Sequence, residues 1–130
     1  LSHALIIEDE LLLAFAVEEA LRELGYTTFE IARSVRDAVN AAERQCPDLI
    51  VANHHIIDGT GTDAVLSICS GKAIPVVFVT GSGPEIRLRL PDALIVEKPL
   101  SQSRLGDAVL KARENPFEHS HDSPDRSNLN

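Results

Sequence analysis

LIVANHHIIDGTG, residues 49–61, frames the reading of the whole chain. Leu49, Ile50, Val51 and Ala52 run unbroken into Asn53, and a segment rich in His, Asp and Gly follows. A strand with one wet face alternates apolar and polar residues, whereas an unbroken apolar strand is covered on both faces. Asn53 then stands at the carboxyl end of a buried strand, on a rim where side chains meet solvent. An amide is unexpected there, because it is a poor nucleophile and a poor base.

The same unit recurs on either side. Residues 3–7 (HALII) read as a buried strand that ends in Glu8, Asp9 and Glu10. Leu13, Val17, Ala20 and Leu24 share one helical face, and Gly25 sits where a C-terminal cap is expected. Residues 27–31 are β-branched and aromatic and read as a second strand. Ser34 with Asp37 three residues on resembles a capping pair and opens a helix to about Gln45. After residues 49–52, Asp58-Gly59 and Gly61 mark turns, and a third helix is expected over 62–70, closed by Gly71. Residues 76–79 form a fourth strand ending at Thr80. The stretch 81–84 (GSGP) reads as a loop, leaving 85–90 for at most a short helix. Residues 93–96 form a fifth strand ending in Glu97-Lys98-Pro99. Ser101 caps a last helix with Leu105, Ala108, Val109 and Ala112 on one face.

Five strand–helix repeats imply parallel pairing with right-handed crossovers. The expected fold is a doubly wound α/β domain, with its ligand crevice at the carboxyl ends of the strands. The receiver-sized unit is placed at residues 1–115, and the polar stretch 116–130 is read as a flexible tail. At 130 residues and 44% hydrophobic content, the chain can bury a proper core. A net charge of −8 argues against direct nucleic-acid binding. No apolar run approaches the roughly 18 residues of a membrane span, and no secretory leader is read, so a cytoplasmic setting is expected. Cys46 and Cys69 lack metal or redox spacing and are expected to be free thiols.

The strand ends carry a shared chemistry. Glu8 and Asp9 end the first strand, Asn53 the third, Thr80 the fourth and Lys98 the fifth, all on one rim. Paired carboxylates, an amide oxygen, a hydroxyl and an ammonium suit a hard cation such as Mg²⁺ and a phosphoryl group. Adjacent His54 and His55 would point opposite ways on an extended segment and so are not expected to chelate one ion. His119 and His121 offer at most adventitious metal binding.

Through "LIIEDE", "PDLIVANHHIIDGTG", "PVVFVTG" and "VEKP", the chain resembles the response-regulator receiver domains of two-component signalling. The resemblance covers about residues 4–112. It implies a five-stranded parallel sheet in the flavodoxin-like order 2-1-3-4-5. It also implies Mg²⁺ on Glu8, Asp9, the residue at the acceptor position and the backbone carbonyl of His55. In the family an Asp accepts the phosphoryl group where Asn53 stands, a hydroxyl where Thr80 stands turns to it, and a lysine where Lys98 stands pairs with it. A cis Lys98-Pro99 bond is expected. The partner implied is a histidine kinase or a phosphotransfer protein, partly docked on the first helix, where Leu11, Leu12 and Phe15 supply more apolar surface than its buried face needs.

Three departures stand out. Asn53 cannot form the acyl phosphate, which needs a carboxylate oxygen. It still offers an amide oxygen to Mg²⁺, but without charge, so metal affinity is expected to fall. Two histories fit it: a natural pseudo-receiver, or an engineered Asp-to-Asn block. Ile95 replaces the aromatic residue usual three positions before the lysine. The fourth helix is short, and Pro75, Phe78, Thr80 and Gly81 partly echo an atypical, often single-domain receiver subfamily, from which a mobile fourth-helix region is expected. The leading expectation is a phosphorelay receiver that accepts phosphate in its Asp form and is blocked here by Asn53. The alternative is a phosphate-independent adaptor or decoy of the same fold. A phosphohydrolase is disfavoured, because it would need a carboxylate nucleophile and an acid two residues on, which Asn53 and His55 do not supply. An enzyme is therefore not expected. No output domain is read, which leaves a single-domain regulator or an excised receiver.

Overall fold

The computed structural model describes residues 2–119. In chain order the elements are β1 (His3–Ile7), α1 (Leu11–Glu23), β2 (Thr28–Ala32), α2 (Val35–Arg44), β3 (Leu49–Ala52), β4 (His55–Ile56), β5 (Gly59–Thr60), α3 (Gly61–Ile68), β6 (Val76–Thr80), α4 (Gly83–Arg89), β7 (Ile95–Glu97) and α5 (Gln102–Glu114). Five of the strands form one parallel sheet in the order β2-β1-β3-β6-β7. With the small β4/β5 hairpin set aside, this is the 2-1-3-4-5 order expected.

The unbroken apolar strands behave as their composition requires. Successive side chains alternate between faces, so Leu5, Ile7, Ile50 and Phe78 join the core under α2 and α3. Ala4, Ile6, Val51, Val77 and Val79 join the opposite core, under α1 and α5. Burying one such aliphatic side chain contributes about 1.5–3 kcal/mol, which is why neither face can be left bare. The register pairs Ile7 with Ala32 and with Ala52, and Thr80 with Glu97. The next residues along, Glu8, Asn53 and Lys98, therefore emerge on one rim.

Local signals place the helices. Gly25 follows α1 at φ +102°, a conformation that favours glycine. The Ser34 hydroxyl accepts from Asp37 N at 3.0 Å, and the Ser101 hydroxyl accepts from Arg104 N at 3.3 Å. Asp58, read from sequence as a turn residue, also caps α2 from across the loop by accepting from Val35 N at 2.5 Å. Asp48 holds the opposite rim by accepting from His3 N at 2.7 Å.

The structure differs from the sequence reading in several places, β7 for instance starting at Ile95 rather than at residue 93. Residues 55–60 form an antiparallel hairpin, His55 opposite Thr60, too short to show a period. Helix α3 starts at Gly61, one residue early, because Thr60 and Asp63 form a reciprocal capping box. Helix α4 includes Gly83 and Pro84, since a proline in the first turn forfeits no intrahelical bond; at seven residues it is the shortest helix. The segment 116–119, read as the start of a flexible tail, is fastened to the domain: Ile74 and Phe117 exchange backbone bonds of 2.9 and 2.8 Å, and His119 N donates to Cys69 O at 3.0 Å. Phe117 is the apolar residue that makes this docking favourable, packing against the core under α2 and α3. Residues 120–130, with His121, lie outside the described residues.

Cys46 is an exposed free thiol and Cys69 a buried one, whose pKa burial pushes up to about 12. Both cysteines are thus unpaired, and Cys69 stays a neutral thiol.

Gly61 has a specific steric role. A Cβ there would collide with the backbone carbonyl of Asn53 and crowd the Ala52 side chain. The loop after β3 returns so closely only because residue 61 has no side chain. Gly61→Ala should therefore destabilise the fold by roughly 1–3 kcal/mol, the range for overpacking a close contact, read as a lower urea midpoint.

Candidate functional site

The rim is built outward from Glu8. Its backbone N–H donates to Ala32 O at 2.9 Å, which ties the end of β1 to β2. The residue is only 3% exposed, and one carboxylate oxygen accepts from Glu10 N at 3.0 Å. Burial pushes the Glu8 carboxyl above its ordinary 4.5, while the Glu10 amide, Lys98 and Asn53 pull it back. Asp9 lies beside it, and Arg33 reaches the Asp9 carbonyl with contacts of 3.1 and 3.3 Å.

Lys98 extends from the end of β7 and sits between two carboxylates. Its Nζ is 4.0 Å from Glu8 Oε1 and 4.0 Å from Glu10 Oε1. The sequence reading singled out Glu8 and Asp9 but not Glu10, whose partner is supplied by a distant strand. Thr80, 1% exposed, ends β6, and its hydroxyl accepts from Ser82 N at 2.9 Å. The Lys98-Pro99 bond is cis, as expected.

Asn53 is fixed by hydrogen bonds on both ends of its amide. Its backbone N donates to Ile7 O at 2.9 Å, which seats it beside β1. The side-chain Oδ1 accepts from His54 N at 2.7 Å. The Nδ2 donates to Glu8 Oε2 at 3.3 Å and to His55 O at 3.4 Å. The opposite flip would set an oxygen against a carboxylate and a carbonyl, and an NH₂ against an N–H, so the network itself fixes the orientation. Asn53 thus presents its NH₂, not its oxygen, to two groups named as Mg²⁺ ligands.

The donor set can be tested against a hard cation on this geometry. The Glu8 and Asp9 carboxylates and the His55 carbonyl are oxygen donors of the type Mg²⁺ takes. The Asn53 amide oxygen is turned away to His54 N. The set therefore fits Mg²⁺ through three of its four members, and the fourth must rotate, breaking all three side-chain bonds, to join them.

His54 and His55 depart from expectation. Pleat alternation holds only along a continuous strand, and His54 lies in the bend between β3 and β4. Both imidazoles consequently face one carboxylate. His54 Nε2 is 3.6 Å from Glu85 Oε2, and His55 Nε2 is 3.6 Å from Glu85 Oε1. Only tertiary folding brings Glu85 of α4 to this loop, so no local signal could have found it. Ile95 is partly buried against the core under α2 and α3, filling the position of the usual aromatic. Leu11, Leu12 and Phe15 are exposed at the start of α1, beside the rim. No helix among the described residues is long and apolar enough to cross a membrane.

The doubly wound sheet, with an acidic pair, a hydroxyl and a lysine on the rim beyond its strand ends, has the architecture of a receiver domain. The chain belongs to the response regulator receiver domain family, whose model matches residues 4–110. It is 34% identical over 113 residues to the phyllosphere-induced regulator PhyR of Methylorubrum extorquens, covering 83% of this chain and 42% of that protein. It is 35% identical over 109 residues to the transcriptional regulatory protein PdtaR of Mycobacterium tuberculosis, covering 81% of this chain and 53% of that protein. The chain thus spans about half the length of these curated relatives. Among solved structures, the receiver domain of PhyR from Erythrobacter litoralis superposes with a TM-score of 0.78 at 28% identity, covering 95% of each chain. A mutant of the anti-anti-sigma factor PhyR from Bartonella quintana superposes with a TM-score of 0.74 at 31% identity, covering 86% of this chain and 48% of that one.

Two expected outcomes test the site. Asn53→Asp replaces a donor facing Glu8 with a third carboxylate, which should lower the apo stability by about 1 kcal/mol. Added Mg²⁺ should then raise the melting temperature of the variant more than that of the native chain. An equal response in both would remove Asn53 from the metal site. The raised pKa of Glu8 means the native state holds this proton more tightly than the unfolded chain does. Its contribution to stability is therefore present below 4.5 and lost as pH rises through the raised value. Glu8→Gln should flatten that part of the stability profile, measured by urea unfolding from pH 4.5 to about pH 8.

Proposed function

We propose that the chain is a receiver module of a phosphorelay whose phospho-acceptor position is blocked by Asn53. The observation that carries this reading is the seat of Asn53: it ends β3 between Glu8 and the His55 carbonyl, on the same rim as Lys98 and Thr80. In the Asp form a carboxylate oxygen attacks the phosphorus of a phosphohistidine and forms an acyl phosphate, and the histidine nitrogen leaves. The Lys98 ammonium meets a phosphoryl oxygen as a point charge. The Thr80 hydroxyl donates its proton to another. Glu8, Asp9 and the His55 carbonyl would hold Mg²⁺, which when bound would neutralise phosphoryl charge. In the chain with Asn53 the amide offers no carboxylate nucleophile, and its NH₂ is bonded to two of those ligands, so Mg²⁺ binding is weakened and phosphotransfer at residue 53 is absent.

The output is contact with other proteins, and the chain is a signalling module rather than an enzyme. A net charge of −8 supports protein partners over nucleic acid. The exposed Leu11, Leu12 and Phe15 beside the rim suit docking by a histidine kinase or a phosphotransfer protein. The likeness to the anti-anti-sigma factor PhyR of Bartonella quintana supports the same kind of output. The receiver unit is residues 1–115, with residues 116–119 fastened to it as the base of a C-terminal extension, and it acts in the cytoplasm.

A second reading is favoured by one observation. The three side-chain hydrogen bonds of Asn53 satisfy the rim without phosphate or metal. On that reading the chain is a phosphate-independent adaptor or decoy that presents a constant surface to the same partners.

Phosphotransfer measured by intact-protein mass spectrometry separates the two. The native chain and Asn53→Asp are incubated with Mg²⁺ and a small phosphodonor. Under the blocked-receiver reading only the Asp variant gains a phosphoryl group, and Lys98→Ala in that background reduces the yield. No gain in either chain would favour the constant adaptor.

A further inference from the structure

The rim has a second cluster that the phosphoryl chemistry leaves unused. His54 and His55, from the loop after Asn53, flank Glu85 in the first turn of α4. One ligand atom from each residue lies within 4.8 Å of the other two. His54 is only 6% exposed, and among the described residues its Nδ1 is buried without a hydrogen-bond partner. Its Nε2 faces the Glu85 carboxylate at 3.6 Å, beyond hydrogen-bonding distance. The imidazole nitrogen and the carboxylate oxygen thus face each other with no hydrogen bond between them, at a spacing that admits a cation, and His55 repeats the arrangement from the other side of Glu85 at 3.6 Å.

We infer that His54, His55 and Glu85 form a site for a borderline divalent cation of the Zn²⁺ type, distinct from the hard-cation site at Glu8 and Asp9. Two imidazoles and one carboxylate are a known tetrahedral ligand set that leaves a fourth position to water. Zn–N and Zn–O bonds of about 2.0–2.2 Å place ligand atoms about 3.4 Å apart, close to the two 3.6 Å separations present. The remaining closure falls to His55 and Glu85, whose side chains are 67% and 57% exposed and free to move, while His54 is held by burial. Ligand softness sorts the two sites: Mg²⁺ prefers the all-oxygen set, and imidazole suits Zn²⁺. The ion ties the loop that carries residue 53 to α4, the helix that follows the Ser82 amide bonded to Thr80. The site does not depend on phosphotransfer and is testable in the native chain.

The experiment is calorimetric titration of Zn²⁺ into the full 130-residue chain, without an affinity tag and with Mg²⁺ in excess. One equivalent of Zn²⁺ is expected to bind. His55→Ala and Glu85→Ala should each weaken it at least about tenfold, the lower bound for disturbing a metal's ligand shell. Glu8→Gln and the double variant His119→Ala/His121→Ala should leave the affinity unchanged. Hydrogen exchange of residues 83–89 should slow on adding Zn²⁺ to the native chain and not to Glu85→Ala. The inference is overturned by absence of binding, by loss of binding in Glu8→Gln, which assigns the ion to the acidic pair, or by loss in the double variant, which assigns it to the C-terminal histidines. Unchanged melting temperatures of the metal-free His55→Ala and Glu85→Ala chains show that folding is retained.

Discussion

The three central strands of the sheet, β1, β3 and β6, are covered on both faces, and that constraint organises the rest. Apolar strands of four or five residues, such as β1, β3 and β6, leave no wet face on which a chain could return as a hairpin. The connections must cross over as helices, and parallel pairing follows. Parallel pairing sends every strand end to the same rim. Glu8, Asn53, Thr80 and Lys98 come from four separate strand ends, yet they meet because Ile7, Ala52 and Phe78 are in register across the sheet. The close return of Gly61 onto the Asn53 carbonyl then sets the height of the loop above that rim.

Asn53 changes the electrostatics of the rim more than its shape. A buried carboxylate such as Glu8 is costly unless it is paired. Here it has one backbone donor, one amide donor and a lysine at 4.0 Å. The amide NH₂ bridges the Glu8 carboxylate and the His55 carbonyl. The residue therefore satisfies these groups locally through its own hydrogen bonds.

Helix α4 is the most economical part of the fold. It has seven residues, a proline in its first turn and no side-chain cap. Its attachments are side chains that reach to α3 and to the loop after β3. Arg89 holds Asp63 at 2.8 Å and keeps the Asp63 carboxyl below the usual range, though both groups are substantially exposed and the pair contributes little to stability. Glu85 faces the two histidines, and buried Ile86 is the apolar anchor. Arg87 adds a further tie, donating to the Ala93 carbonyl at 3.1 Å.

The five strands of the main sheet and four of the five helices among the described residues were legible in the sequence, because burial on two faces leaves apolar runs and because Ser34 and Ser101 mark helix starts by chemistry that acts over three residues. The candidate site was legible as far as its members end strands: Glu8, Asn53, Thr80 and Lys98 are each punctuated by the apolar run before them. What acts across the fold was not. The β4/β5 hairpin is too short for any period, and the docking of Phe117 on Ile74 joins residues far apart in the chain. The inward turn of the Asn53 NH₂, the pairing of Glu10 with Lys98, and the convergence of His54, His55 and Glu85 depend on distances that only tertiary packing sets. The sequence determined the fold and the kind of chemistry available at its rim, since burial and capping are local. The tertiary structure decided which groups face one another, since hydrogen bonds and ion pairs depend on separations of a few ångströms between segments that no linear spacing encodes.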